Sequence, residues 1–304
     1  MPLFKLSRNQ LQAIKENPFR FERDIQAIVE ENLNALFGLQ LVRSEFQVGE
    51  LRMDTLAFDQ NTRAFAIIEY KKGTNYSVVD QGMSYLGLML NNKAEFILEY
   101  NERCGASLKR GNVDWSQSKV MFVSPSFTTF QLESINFKDL PIELWEIRRY
   151  ANNTILLDQH KPAIATATIK AVAKKGAIAE AISREVKTYS EEGHLKIAEP
   201  HISELYSRFR ELVLGISPDI SLKPTKKYIA FCSRTNVTDV VVLKRSLKVF
   251  INLAKGKLDD PKHLARDVSE VGHWGNGAYQ VQIDSDDELE YIISLVRQSH
   301  KINA

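Results

Sequence analysis

Residues 64–71 read Ala-Phe-Ala-Ile-Ile-Glu-Tyr-Lys, an apolar strand that ends in an acid and a base two positions apart. Charge on a strand suited to burial is expensive to hold without a partner or a purpose. Side chains alternate along an extended strand, so Phe65, Ile67, Glu69 and Lys71 share one face, while Ala66, Ile68 and Tyr70 take the other. One face therefore begins as core and ends as chemistry. Upstream, Asp54 interrupts a second strand-like run, Leu51 to Phe58, and Asp59-Gln60-Asn61-Thr62-Arg63 reads as the hairpin loop between the two. Folding that hairpin brings a second carboxylate towards Glu69. A simple register pairs Asp54 with Ile68, so a bulge or a one-residue offset is required to put both acids on one face. Two converging carboxylates beside a lysine suit a metal-dependent phosphodiesterase, because hard divalent cations want oxygen ligands and the reaction develops negative charge.

At 304 residues the chain has room for two domains, each with its own core. Forty Lys and Arg stand against 38 Asp and Glu, so any nucleic-acid surface must be local rather than a matter of net charge. The two cysteines, Cys104 and Cys232, are far apart and lack metal-type spacing, which argues against a disulfide framework or a zinc site and for a reducing, cytoplasmic setting. No apolar signal core opens the chain, and no stretch approaches the roughly 20 apolar residues that span a bilayer. A soluble protein without a membrane partner is expected.

From Pro18 to Gly38 the pattern is helical, with Ile25, Val29, Leu33 and Leu36 along one stripe. Glu22 falls on that stripe, whereas Glu30 and Glu31 swing towards the opposite side at about 100° per residue. An acid in the first turn also stabilises a helix on its own account. Strands are expected at Phe46 to Glu50, Ala94 to Tyr100, Lys119 to Ser124 and Ile142 to Arg149, with helices over Ser77 to Asn91 and near Thr129 to Phe137. That order suggests a central sheet covered on both sides.

The first domain then covers residues 1–159. Residues 160–193, rich in Ala, Lys and Glu, read as a helical linker. Residues 194–304 form a second, smaller α+β domain. It has a helix around Ile202 to Val213, strands at Lys227 to Phe231, Val237 to Leu243, Leu247 to Leu253 and Tyr279 to Ile283, a Gly-rich turn over 272–277, and a last helix to about Arg297. Ser285 and Glu288 make a capping-box pattern for that helix.

The helix after Glu69-Tyr70-Lys71 carries Gln81-Gly82-Met83-Ser84-Tyr85, and a Gln and a Tyr four apart share a helical face. A helix with an acid, a strand with Asp, a strand with Glu-x-Lys and a helix with Gln-x-x-x-Tyr together resemble the PD-(D/E)XK nuclease superfamily, in its RecB-like and mismatch-endonuclease branches. The motifs cover roughly residues 18 to 100. The resemblance implies a restriction-endonuclease-like α/β (α+β) fold, a central mixed sheet flanked by helices. It further implies that Asp54, Glu69 and the Tyr70 carbonyl hold Mg²⁺ or Mn²⁺, with Lys71 near the attacking water, Glu22 as the helix acid and Gln81 and Tyr85 as the helix pair. Met53 stands where the family has proline.

The implied activity is hydrolysis of DNA phosphodiester bonds, in restriction, repair or defence. The alternative is a catalytically silent nucleic-acid-binding or regulatory protein on the same fold. Many such nucleases cut both strands as dimers, which leaves a homodimer open. Lys72, Lys109 and Arg110 lie in basic loops that suit phosphates, and Trp115 suits either base stacking or a core position. The second domain resembles an intracellular module found joined to such nuclease-like domains. The match rests on His194-Leu195-Lys196, Val249 to Leu253 and Gly272-His273-Trp274-Gly275. Its basic strands, with Lys223, Lys226, Lys227, Arg234, Lys244, Arg245 and Lys248, fit a DNA-binding or target-selecting surface as well as a solvated sheet face.

Overall fold

In the computed structural model, which describes residues 2–73, 77–136, 140–160, 189–272 and 275–303, the chain divides into two compact units, Met1–Lys187 and Thr188–Ala304. The first opens with an antiparallel hairpin, β1 (Leu3–Ser7) and β2 (Gln10–Ile14), not anticipated from the sequence. Two helices, α1 (Glu22–Glu31) and α2 (Leu33–Phe37), replace the single helix expected from Pro18 to Gly38. The break falls at Asn32 (φ −123°, ψ 18°), and Gly38 ends the second helix at φ 66°, a left-handed conformation that glycine adopts without a Cβ penalty.

Six strands follow in spatial as well as chain order: β3 (Gln40–Val48), β4 (Leu51–Asp59), β5 (Ala64–Tyr70), β6 (Lys119–Ser124), β7 (Ile142–Arg149) and β8 (Ile155–His160). The pairs β3–β4, β4–β5 and β7–β8 are antiparallel, and β5–β6 and β6–β7 are parallel. Parallel neighbours need a crossover, and α3 (Val78–Asn91) with α4 (Lys93–Cys104) supplies the first and α5 (Thr129–Ser134) the second. The unit is therefore a mixed sheet flanked by helices, as expected.

Its core lies on both faces. Phe65 and Ile67 pack with Leu86, Met89 and Phe96 on one side, and Ala66, Ile68 and Tyr70 pack with Ile25, Val29 and Leu33 on the other. This is the alternation read from the sequence, and β5 is buried along its whole length.

Ala94 to Tyr100, expected as a strand, belongs to α4. A short apolar run fits either period, and here the four-residue spacing decides: Phe96 and Tyr100 are buried, Cys104 packs against the same core, and Leu98 between them is exposed. The strand expected at Phe46 to Glu50 starts earlier, at Gln40, and β8 adds an edge strand.

The second unit contains α6 (Glu191–Leu195), α7 (Pro200–Leu214), β9 (Ser221–Pro224), β10 (Ile229–Cys232), β11 (Asn236–Val242), β12 (Leu247–Ile251), β13 (Arg266–Asp267), β14 (Tyr279–Ile283) and α8 (Leu289–Asn303). Its antiparallel sheet runs β13-β14-β12-β11-β10-β9. Phe209 and Val213 of α7 and Ile292 and Val296 of α8 join the core built on Val240, Val249 and Ile251.

The expected capping box is absent: the Ser285 hydroxyl donates to Asp287 Oδ2 at 2.7 Å, and the helix starts at Leu289. In the Gly-rich turn, Gly277 sits at φ 81°, and a Cβ there would lie 2.3 Å from the Ile251 carbonyl oxygen. His273 and Trp274 of that turn, and 161–188 of the expected linker, lie outside the described residues. Among the described residues no helix is long and apolar enough to cross a membrane.

Candidate active site

The hairpin loop occupies residues 60–63, and the β4–β5 ladder runs from Asp59↔Ala64 to Thr55↔Ile68. Continued by one step, that register sets Asp54 opposite Glu69, so neither bulge nor offset is needed. The expected pairing of Asp54 with Ile68 is thus displaced by one residue, because Asp59 ends β4 as a paired residue rather than starting the loop. Beyond Thr55 the side chains take over the hydrogen bonding. Asp54 N–H donates to Glu69 Oε1 at 3.1 Å, and Tyr70 N–H donates to Asp54 Oδ2 at 2.9 Å.

Glu69 is 2% exposed. Its Oε2 faces Lys71 Nζ at 3.3 Å and accepts from Gln81 Nε2 at 3.1 Å. Gln81 Nε2 also reaches Tyr85 Oη at 3.3 Å, and the Tyr85 hydroxyl donates to the Arg52 carbonyl at 2.9 Å. The Ser77 hydroxyl caps α3, and Gly82 lets that helix approach the sheet: a Cβ there would lie 2.4 Å from Ile142 Cδ1. Close approach of α3 is what brings the one-turn pair Gln81 and Tyr85 to the strand end.

Glu22 is exposed at the start of α1, and its Oε1 accepts from Lys72 N–H at 2.8 Å. Glu30 does not turn away from the sheet as expected. Its Oε1 accepts from Thr55 Oγ1 and from Gln26 Nε2, and Gln26 Nε2 reaches the Asp54 carbonyl at 3.2 Å. The stripe Glu22, Gln26, Glu30, at four-residue spacing, flanks the apolar stripe and lies towards the strands. That spacing was the available signal for Gln26 and Glu30.

Glu45 is a further acid near Asp54. It sits on β3 at φ 54° and is ion-paired to Arg52. No local pattern marks it, because its place depends on the β3–β4 register.

Burial raises the Asp54 carboxyl above its usual range, with Glu45 and Glu22 adding to the rise, while the Tyr70 N–H and Lys71 oppose it. Burial also raises Glu69, and the Asp54 charge adds to it against Lys71. Two acids thus compete for one region of negative potential. The Tyr85 phenol is pushed far up by burial and by the Glu69 charge, so it is a hydrogen-bond donor rather than a base.

The donor set suits a hard cation. Asp54 Oδ1 accepts no hydrogen bond from a described residue, and a divalent ion would relieve the repulsion between the two carboxylates. Among the described residues no group of three or more His, Cys, Asp or Glu is placed to hold an ion. A Mg²⁺ or Mn²⁺ ion at this place would have two carboxylates, a backbone carbonyl and substrate oxygens to bind, a sparse protein donor set of the kind Mg²⁺ takes.

Other sequence candidates lie apart. Lys109 and Arg110 are exposed at a short 3₁₀ turn, and Arg63 Nε binds the Asn112 carbonyl at 2.8 Å. This places the turn at the loop end of β5, roughly 20 Å of strand from Glu69. Trp115 is partly buried against the core, stacked on Phe65 at 5.5 Å with Lys93 Nζ 5.5 Å from its ring, which favours the core position over base stacking.

A family profile described as a domain of unknown function, DUF5655, matches residues 191–303. Among solved structures, the EndoMS–dsDNA2 complex aligns at TM-score 0.29 and 14% identity over 45% of this chain and 50% of that one. A repair endonuclease from Pyrococcus abyssi aligns at TM-score 0.25 and 15% identity over 43% of this chain and 50% of that one. At these scores the likeness carries no functional argument. An uncharacterised protein of Haemophilus influenzae is 49% identical over 301 residues, 99% of this chain and 100% of that protein. The chain belongs to the same family as that Haemophilus influenzae protein.

Proposed function

We propose that the first unit is a metal-dependent nuclease of PD-(D/E)XK type that hydrolyses DNA phosphodiester bonds. The observation that carries this reading is the meeting of Asp54 and Glu69 at the end of an antiparallel pair, with Lys71 and Gln81 both on Glu69 Oε2. Asp54, Glu69 and the Tyr70 carbonyl would hold Mg²⁺ or Mn²⁺. Such an ion, when bound, polarises a phosphoryl oxygen and lowers the pKa of a coordinated water.

The chain's own groups supply the rest. Lys71, on the same strand face as Glu69, offers a cation where negative charge develops on the phosphoryl group. Gln81 holds Glu69 Oε2 through its amide, and Tyr85 ties the helix to the Arg52 carbonyl, so the carboxylate keeps one orientation. Glu22 fixes the backbone just past Lys71 through Lys72 N–H. Lys72 adds an exposed cation for the flanking backbone.

The test is incubation with Mg²⁺ or Mn²⁺ and plasmid, single-stranded and branched DNA, beside Asp54→Ala and Lys71→Ala variants. Metal-dependent cleavage lost in both variants is expected. Cleavage that survives both would remove the assignment. DNA binding without cleavage under every condition would favour a silent binding protein on this fold.

A further inference from the structure

Phe21 is placed against local preference. It is the N-cap of α1, where Ser, Thr, Asp and Asn are favoured because their side chains can accept from the first-turn N–H groups, and a phenyl ring cannot. Only the reverse half of a capping pair exists, from Phe21 N–H to Asp24 Oδ2 at 3.0 Å. The ring does not compensate by joining the core: Phe21 is 53% exposed, whereas Phe19 two residues earlier is buried. Neither the helix nor the core therefore accounts for a phenylalanine here.

The surroundings of the ring are cationic. The Arg23 guanidinium lies 4.7 Å from the Phe21 centroid. Lys72 Nζ donates to the Arg20 carbonyl at 2.7 Å, and Lys72 N–H donates to Glu22. The residues on either side of Phe21 are thus both bonded to Lys72, the residue after Lys71. Two bonds pin the ring's backbone to the rim of the candidate active site. Arg20, Arg23 and Lys72 are all exposed beside it.

An exposed aromatic ring among backbone-reading cations is the combination that holds unpaired nucleotides, since every base has a face to stack and every phosphate a charge to meet. In a duplex the base faces are already taken by neighbouring bases, so a ring can stack only on an end, a single strand or an extruded base. We propose that Phe21, steadied by Arg23, is a stacking platform for an unpaired nucleobase of the strand whose phosphate enters the Asp54–Glu69 site. Its preferred substrate is then DNA that is single-stranded next to the cut. This rests on the nuclease reading for its substrate, but it predicts binding whether or not the site cuts.

The experiment uses the full chain without added metal and a 20-nucleotide single strand carrying 2-aminopurine, with a blunt duplex of the same sequence as comparison. Phe21→Ala should weaken single-strand binding by about tenfold or more and abolish the quenching of 2-aminopurine emission, at the scale of one base–aromatic stack. Duplex binding should change by less than about twofold. Phe21→Trp should restore both affinity and quenching, which separates stacking from any disturbance of the α1 terminus, and thermal melting checks that each variant folds.

Equal weakening of both DNA forms, no change in either, or no binding of the single strand by the native protein would each overturn the platform. Phe21-dependent quenching with no cleavage in Mg²⁺ or Mn²⁺ leaves the platform standing and removes the nuclease reading. Cleavage that is indifferent to Phe21 and to strandedness does the opposite.

Discussion

Asp54 and Glu69 each accept a hydrogen bond from the backbone of the other's strand, Asp54 N–H to Glu69 Oε1 at 3.1 Å and Tyr70 N–H to Asp54 Oδ2 at 2.9 Å. The carboxylates continue the ladder by one step past Thr55↔Ile68 and stand side by side as a result. Each is raised by burial, and the charge of Asp54 raises Glu69 further. Asp54→Asn should relieve repulsion without losing an acceptor, since only Oδ2 of Asp54 accepts a hydrogen bond from a described residue, whereas Glu69→Gln puts an NH₂ group where one of two accepting oxygens stood. The metal-free Asp54→Asn variant should melt at or above the native temperature.

Mg²⁺ or Mn²⁺ should raise the native melting temperature by a few degrees, as expected for a ligand that binds only the folded state. It should leave both variants unmoved. A variant that keeps the native metal shift would show that the ion lies elsewhere.

Among the described residues Lys71 is the one cation bonded to Glu69, and the pair is uneven: the lysine side chain is 21% exposed and the glutamate 2%. Removing the cation leaves a buried charge beside Asp54. Lys71→Met should therefore destabilise the first unit by about 1–3 kcal/mol, the scale for an unpaired buried polar group, discounted for the partial exposure of the lysine. Turnover should fall by about two orders of magnitude or more, the scale for loss of one electrostatic group. Adding Glu69→Gln should recover stability but not turnover. Urea melts and single-turnover cleavage measure the two separately, and stability that fails to recover would mean that the pair is not the cause.

Tyr85 connects the helix pair to β4, donating to the Arg52 carbonyl at 2.9 Å. Tyr85→Phe removes that donor and leaves the ring in the core, at an expected cost of about 0.5–1.5 kcal/mol. Its phenol is too far raised to titrate near neutrality, so the pH–rate profile should keep its shape while kcat falls. A lost basic limb in the variant would mean that Tyr85 exchanges a proton in the reaction.

The strand part of this site was legible because period two is rigid: once Phe65 and Ile67 face one core, Glu69 and Lys71 must follow. Gln81 and Tyr85 were legible for the same reason at the helical period. Register was not, because whether Asp59 pairs or turns depends on its carboxylate, whose Oδ1 accepts from Asn61 and Thr62 N–H and so makes the turn inside the loop. Glu30 was misplaced because 100° from Val29 was read as solvent, whereas Thr55 draws it to the sheet. Glu45 and Arg52 depend on strand pairing and left no local trace. The misread strand at 94–100 shows the limit of short apolar runs, where Phe96 and Tyr100 fit a helix and a strand alike.

In the second unit Asp239, on β11, is wholly buried and among the described residues meets only amides: Asn276 N–H at 2.6 Å and Nδ2 at 3.0 Å, Asn236 Nδ2 at 2.9 Å and Asn252 Nδ2 at 3.3 Å. Burial pushes its carboxyl up to about 6, and these donors hold it from rising further. An unfolded aspartate titrates near about 3.9. Between roughly pH 4 and 6 the folded chain thus binds more protons than the unfolded one, so the unit loses stability as pH rises through that window and is level above it. The loss amounts to about 3 kcal/mol for a shift of this size. Carboxyl carbon NMR on the full chain should give Asp239 a midpoint near 6. Denaturation followed through second-unit signals should show stability falling across the same range, and Asp239→Leu should flatten that slope. Donor amides strong enough to hold Asp239 ionised would instead place the midpoint below the ordinary value and reverse the slope, because stability would then fall towards acid.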